Sequence, residues 1–419
     1  MDTVRSAHRF RGRCVGLAAG LLLAASASAQ AAPPFAYVTS LDVTGSRISQ
    51  YETAAGGRLV PLDPPTVPTA PAAYSSAVTP DGSSVYAPTS DGVLQFDVDP
   101  GTGALRPKSP TSVAGPGASF GVAVTPDGRS FYVADTATNT VWQYSIDQGT
   151  GRLSPKSPAT VAAGGADAIP YDIGIAPDGR SAYVTTFTAG VRQYDIDPAT
   201  GRLTPKSPAS VAGGHTPHSV AVTPDGRSAY VTNINDGTVS QYDIAPTTGV
   251  LTPKSPATVP AGTGPGALVV SPDGRSLYVH DSGIGGGGPA TNAVSQYDID
   301  ATRGTLSPKS PPAVSALGQN TAAEIVVTPD GRSVYLVQTT VILQYDVGPA
   351  TGGLTPKTPA TVPTPGLATG IVLASPRQTP AEPTSKEQCK HDGWRAFPQF
   401  KNQGQCVSFV ASRKPRPPG

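Results

Sequence analysis

Residues 218–259 read HSVAVTPDGRSAYVTNINDGTVSQYDIAPTTGVLTPKSPATV, one full unit of a pattern that recurs along the chain. A short apolar run, Ser219-Val-Ala-Val222, leads into Pro224-Asp-Gly226. A second run starts at Tyr230-Val231, a third at Gln241-Tyr242, and a fourth opens Leu251-Thr-Pro-Lys-Ser-Pro256. Short apolar runs punctuated by Gly, Pro and Asp read as strands joined by tight turns. The Asp-Gly step supplies the positive φ that such a turn requires. Prolines in the fourth run suit an outer edge strand, where they also discourage pairing with another chain.

Outward from this unit, Pro-Asp-Gly recurs at Pro80, Pro126, Pro177, Pro224, Pro272 and Pro329, and an Ala-Ser-Pro-Arg remnant at 374–377 stands where a seventh copy falls. The third run recurs as Gln50-Tyr51, Gln95-Phe96, Gln143-Tyr144, Gln193-Tyr194, Gln241-Tyr242, Gln296-Tyr297 and Gln344-Tyr345. Four short strands per unit at a spacing of 45 to 57 residues predict an all-β chain, a seven-bladed β-propeller of four-stranded blades over residues 32–376. The chain enters at Phe35-Ala-Tyr-Val38, already a second strand. Its missing first strand is expected at Gly370-Ile-Val-Leu373, so that the C-terminal strand completes the first blade and closes the ring.

Glycine (47) and proline (46) make up over a fifth of the 419 residues, a mixture that without a period reads as disordered and with one reads as turns. Residues 1–31 are expected to be a secretory signal peptide: Arg5, Arg9, Arg11 and Arg13 precede the apolar run Cys14 to Ala25, followed by small residues up to Ala31. The expected location is therefore secreted or extracellular, with association to the cell envelope open. No later segment approaches the roughly 20 apolar residues of a membrane span. Loss of the leader's four arginines and one aspartate takes the formal charge from +1 to −2, which is no nucleic-acid-binding balance. Cys389 and Cys406 remain and are expected to pair in an oxidising compartment. They would staple a tail, residues 387–419, set off by a linker at 377–386. With Trp394 between them, this tail resembles the short cysteine-tryptophan-cysteine tails of secreted bacterial proteins.

In a propeller the Pro-Asp-Gly and Asp-Pro-x-Thr-Gly turns share one face, and here they are near-identical from repeat to repeat. The connections on the opposite face are diverse, so a ligand site is expected there, at the mouth of the central channel. Asp42, Asp91, Asp135, Asp167, Asp172, Asp236, Asp281 and Glu324 fall in or beside those connections, with Arg47 and Arg192 the exceptional bases; the diverse face is expected to be acidic. The residue six before each repeat proline should stand near the mouth, giving Tyr74, Phe120, Tyr171, His218, Gly266, Ala323 and Gly370 around the ring. An aromatic half and a small half predict an asymmetric pocket for a sugar ring or small apolar molecule. No cofactor and no metal are expected: His215, His218, His280 and Asp281 lack ligand spacing, and Asp195-Ile-Asp197 lacks the closing glutamate of a calcium loop. The glycine-rich stretch Gly283 to Gly288 has no strand-to-helix transition behind it with which to cradle phosphate.

The period, the Pro-Asp-Gly turns and Tyr230-Val-Thr-Asn233 together resemble the YVTN-repeat propellers and, more broadly, the lactonase propellers related to 6-phosphogluconolactonase. The resemblance covers about residues 35–376 and implies the fold. Lactonase members carry His-Pro-His-Ser ahead of one turn, and this chain has Thr216-Pro217-His218-Ser219, with His215 nearby. The resemblance makes His218 the candidate general base. The family's Gly-Pro-Arg-His is here Gly264-Pro265-Gly266-Ala267, and its Asn-Glu is Asp281-Ser282, so the arginine that holds an anionic substrate is missing. The leading expectation is a non-enzymatic binding or scaffold propeller, a monomer whose partner is a small molecule, a glycan or an extracellular protein. The alternative is a lactonase-type hydrolase of a neutral lactone, with His218 as base and Asp172, Asp281 or Glu324 assisting. The candidate ligand-binding residues are Tyr74, Phe120, Tyr171 and His215.

Overall fold

The computed structural model describes residues 34–42, 45–69, 71–117, 119–165, 167–188, 190–283, 292–316, 322–375, 386–390 and 402–412. The expected signal peptide, the linker apart from Lys386, Trp394 and most of the glycine-rich stretch lie outside these residues.

Seven four-stranded antiparallel sheets form the blades. Blade 5, the quoted unit, consists of Pro217–Val222, Ser228–Asn233, Thr238–Ile244 and Leu251–Pro260, hydrogen-bonded in that order. Its second strand is buried at every residue, because it lies mid-sheet with a blade packed on each face. Its outer strand is mostly exposed and buries little more than Leu251, Lys254 and Val259. The Asp-Gly turn takes the predicted conformation, with Gly226 at φ +71°. Asp225 tightens it by accepting hydrogen bonds from Thr223 Oγ1 at 2.6 Å and Arg227 N at 3.0 Å.

The first blade is completed from the far end of the chain. Leu367–Ala374 pairs antiparallel with Phe35–Leu41, Ile371 standing opposite Val38 and Val372 opposite Tyr37. This register corrects one position. Ile173 stands opposite Val184 in blade 4, as Ile371 does opposite Val38, so the equivalent of Tyr171 is Thr369 and Gly370 matches Asp172. Counting back from Pro376 misses by one because that proline follows Ile371 by five positions in sequence, whereas Pro177 follows Ile173 by four.

The repeated motif residues hold blade to blade. The tyrosine of each second strand donates its hydroxyl to a glycine carbonyl in the following blade: Tyr183 to Gly249 at 2.6 Å, Tyr230 to Gly304 at 2.7 Å and, across the closure, Tyr335 to Gly57 at 2.7 Å. The glutamine of each third strand clips twice. Gln241 accepts the Leu306 N–H of the next blade at 2.6 Å and donates to Pro256 O of its own outer strand at 3.1 Å. Gln344 repeats the first contact with Leu59 N at 2.8 Å, joining blade 7 to blade 1. The turn glycine that receives the tyrosine has no substitute: Gly249 sits at φ +65°, and a Cβ there would lie 2.0 Å from Ser181 Oγ. Between the blades lie seven apolar clusters, one of which joins Tyr335 and Ile342 to Val38 and Ile371. Such burial, at roughly 25 cal/mol per Å², is the main stabilising term for each seam.

At the C-terminus, Cys389 and Cys406 form a disulfide with Cα atoms 5.7 Å apart, linking a short 3-10 turn, Lys386–Cys389, to a helix, Gln403–Ser412. Among the described residues no helix is long and apolar enough to cross a membrane.

Candidate functional site

The start of each innermost strand reaches the channel mouth on the diverse face, and four consecutive blades place a ring there. Tyr74 meets Phe120 edge-on at 5.4 Å between centroids, Phe120 stacks on Tyr171 at 4.9 Å, and Tyr171 lies 4.0 Å from the His218 imidazole. Phe187, which follows the second strand of blade 4, also stacks with Tyr171, at 5.2 Å. Sequence counting missed Phe187 because only the innermost strand was counted; an aromatic in a diverse two-to-three loop was the available signal. Opposite this wall stand small or aliphatic residues, Leu41, Leu367, Ala368 and Thr369. Together they enclose a cavity of about 580 Å³. Phe120 and Leu367 are the large apolar side chains left exposed among the described residues, at 38% and 51%, and both stand at this mouth.

Polar groups in the cavity are few, and most are already engaged. Asp172 lines the channel, but its carboxylate is turned into the ring of blades: Oδ2 accepts Ser219 Oγ at 2.8 Å and Val220 N at 3.0 Å, and Oδ1 accepts Ile173 N at 2.8 Å. Glu324 plays the same part between blades 7 and 1, accepting Ile371 N at 2.8 Å. The residue it leans over must be small, since a Cβ on Gly370 would lie 3.0 Å from Glu324 Oε2. Enclosure by protein pushes both carboxyls up, Glu324 to about 8, and the nearby Asp172 adds to the rise at Glu324. Protein surrounds both closely enough for desolvation to dominate.

His218 lines the cavity as the sequence predicts. Burial lowers its pKa to about 4, outweighing the raising effect of the Gly266 backbone, so near neutral pH the ring is uncharged and weakly basic. Nδ1 has no hydrogen-bond partner among the described residues, and no carboxylate orients the ring. His215 and Asp281 are not brought here. His215 is exposed on a separate hollow beside blades 4 and 5, with Nδ1 2.6 Å from Asp236 Oδ1. It therefore does not stand in for the missing first histidine of the motif. Asp281 is buried at the end of its second strand, accepting Gly262 N at 3.0 Å and the Ser295 hydroxyl. Asn233 accepts Gly214 N at 3.0 Å from the equivalent place, so Asp281 ties down a loop, as the Asn of Tyr-Val-Thr-Asn does.

Of the carboxylates expected on this face, Asp91 and Asp167 are exposed, and the others are engaged. Asp135, Asp172, Asp281 and Glu324 point into the protein and accept hydrogen bonds. Asp42 pairs with Arg47 at 2.8 Å and Asp236 with His215. Among the described residues no group of three or more His, Cys, Asp or Glu side chains could hold a metal.

The family described as lactonase, 7-bladed beta-propeller, matches residues 64–262 and 214–363. The chain belongs to the lactonase propeller family. No curated protein matches it. Among solved structures, it is similar to a putative 6-phosphogluconolactonase from Bacteroides fragilis at 22% identity and TM-score 0.65, over 83% of this chain and 99% of that one. It is also similar to the periplasmic gluconolactonase of Pseudomonas aeruginosa at 20% identity and TM-score 0.65, over 81% and 99% of the respective chains. At these identities the likeness is one of fold. Membership in the lactonase propeller family thus accounts for the scaffold.

Proposed function

We propose that this lactonase-family propeller is a secreted, non-enzymatic binding protein whose channel mouth holds an uncharged, ring-bearing small molecule or the end of a glycan. The observation that carries this reading is the continuous wall Tyr74–Phe120–Tyr171–His218 around a cavity large enough for a ring. Aromatic faces stack on the apolar face of a ring at about 0.5–1.5 kcal/mol per pair beyond area burial. The unpartnered His218 Nδ1 supports it too, since an unsatisfied buried polar atom costs about 1–3 kcal/mol that a ligand hydroxyl would recover. Among the described residues no cationic side chain lines the cavity, which favours a neutral ligand over a phosphate or carboxylate. Export is supported by the leader-like residues 1–31 and by the disulfide.

The test is calorimetric titration with a panel of neutral sugars, aryl glycosides and their uronic acid counterparts, alongside turnover of neutral lactones. Saturable binding of a neutral member without turnover is expected. Lactone hydrolysis that disappears in His218→Ala would establish the hydrolase instead.

A further inference from the structure

On the opposite face, the repeat Pro-Lys-Ser-Pro, with Thr358 for the serine in blade 7, places a lysine at the same position in six blades, and the surroundings of one of the six differ. Lys108, Lys206, Lys254, Lys309 and Lys357 are buried, at 5 to 7% exposure. Each forms an ion pair with the next-to-last residue of the third strand of its own blade, respectively Asp97, Asp195, Asp243, Asp298 and Asp346. Each also donates to a turn carbonyl of the next blade, as Lys206 does to Thr248 O at 2.6 Å. In blade 3 the aspartate is replaced by Ser145. Lys156 is only half-buried, and its Nζ lies 3.0 Å from Ser145 Oγ and 2.6 Å from Thr200 O.

We propose that Lys156 is a nucleophilic amine, a modification site that accepts small activated acyl groups from the hollow beside it. Two neutral acceptors match the two hydrogens of an uncharged amine and leave its lone pair free, whereas a carboxylate at the same place demands an ammonium. The hollow holds about 320 Å³, and the charged groups lining it besides Lys156 are Asp127, Arg129 and Asp197. Burial lowers the Lys156 pKa, against a smaller raising effect from Asp127. In the reaction, Nζ adds to the acyl carbon and forms the C–N bond. The C–O bond to the leaving alkoxide breaks, and the proton shed by nitrogen passes to that alkoxide. An amide and an alcohol result, with no change of oxidation state; a lactone gives the hydroxyamide.

The experiment treats the full chain at pH 7 with limiting N-hydroxysuccinimidyl acetate and follows each lysine by peptide mass mapping. Lys156 is expected to react severalfold faster than the five paired lysines, whose amines are held by carboxylates. Ser145→Asp, which recreates the pair found in five blades, should cut the Lys156 rate severalfold while Ser145→Ala preserves it. Equal rates at all six repeat lysines, or an unchanged Lys156 rate in Ser145→Asp, overturns the proposal.

Discussion

The Asp172 carboxylate accepts the Ser219 hydroxyl of the next blade at 2.8 Å, and the two residues occupy the same position, five before their repeat prolines. A carboxylate beside a candidate catalytic histidine is thus spent on joining two innermost strands. Glu324 and the Ile371 N–H repeat the arrangement three blades on. Where a β-bulge interrupts pairing at the start of an innermost strand, as between Pro217 and Val220, a backbone N–H would otherwise be orphaned near the channel.

Removing the centre of the aromatic wall should weaken binding and leave the fold intact. Tyr171→Ala is expected to cost about 1–2 kcal/mol of affinity for a neutral ring ligand, summing the contacts with Phe120 and Phe187 that preorganise it. Calorimetric titration with an unchanged far-ultraviolet spectrum checks this; unchanged affinity would move the site away from the channel.

Glu324 should make stability depend on pH in a defined sense. Its folded pKa of about 8 lies above the unfolded value of 4.5, so the native state binds the extra proton between the two. Its contribution is fully present below about 4.5 and is lost as pH rises through about 8. Glu324→Gln keeps an acceptor for Ile371 N and removes the titration. Melting temperature against pH should therefore fall less steeply for the variant than for the wild type between pH 5 and 9.

His218 acts with the opposite sign. Its folded pKa of about 4 lies below the unfolded 6.5, so its contribution is present above about 6.5 and is lost as pH falls through about 4. His218→Asn should flatten the acid limb of the stability profile, measured by denaturant midpoint at pH 4, 5 and 7. An unchanged acid limb would show that the imidazole is hydrated in solution.

Gln241→Ala leaves Leu306 N without its acceptor inside the seam between blades 5 and 6. The expected loss is about 1–3 kcal/mol, read as a lower urea midpoint at unchanged slope.

Ring closure is testable by truncation. A chain ending at residue 365 loses the innermost strand of blade 1 and exposes Ala36, Val38 and Tyr51, so it should fail to melt cooperatively. A chain ending at 378 should melt as the full protein does. Cooperative melting of the shorter chain would refute closure by the C-terminal strand.

Period, turn chemistry and strand count were readable in the sequence because they are local: Pro224-Asp-Gly226 makes its turn wherever the unit sits, and Phe35-Ala-Tyr-Val38 without a preceding strand already implied a partner at the other end. The aromatic ring positions Tyr74, Phe120, Tyr171 and His218 were legible for the same reason, as a fixed offset from a repeated turn. The direction in which a side chain points across a blade seam was not. Asp172 and Asp281 look alike in sequence, yet one clips neighbouring innermost strands beside the cavity and the other anchors a loop at the end of its own blade. His215 is three residues from His218, but it pairs with Asp236 on the rim. That Thr369, not Gly370, matches Tyr171 was likewise invisible until Ile371 stood opposite Val38. Local hydrogen bonding sets turns and strands within a few residues, so the sequence alone determined the seven blades and their closure. Whether a carboxylate faces a ligand or a neighbouring backbone N–H depends on contacts between blades tens of residues apart, and only the assembled ring decided that.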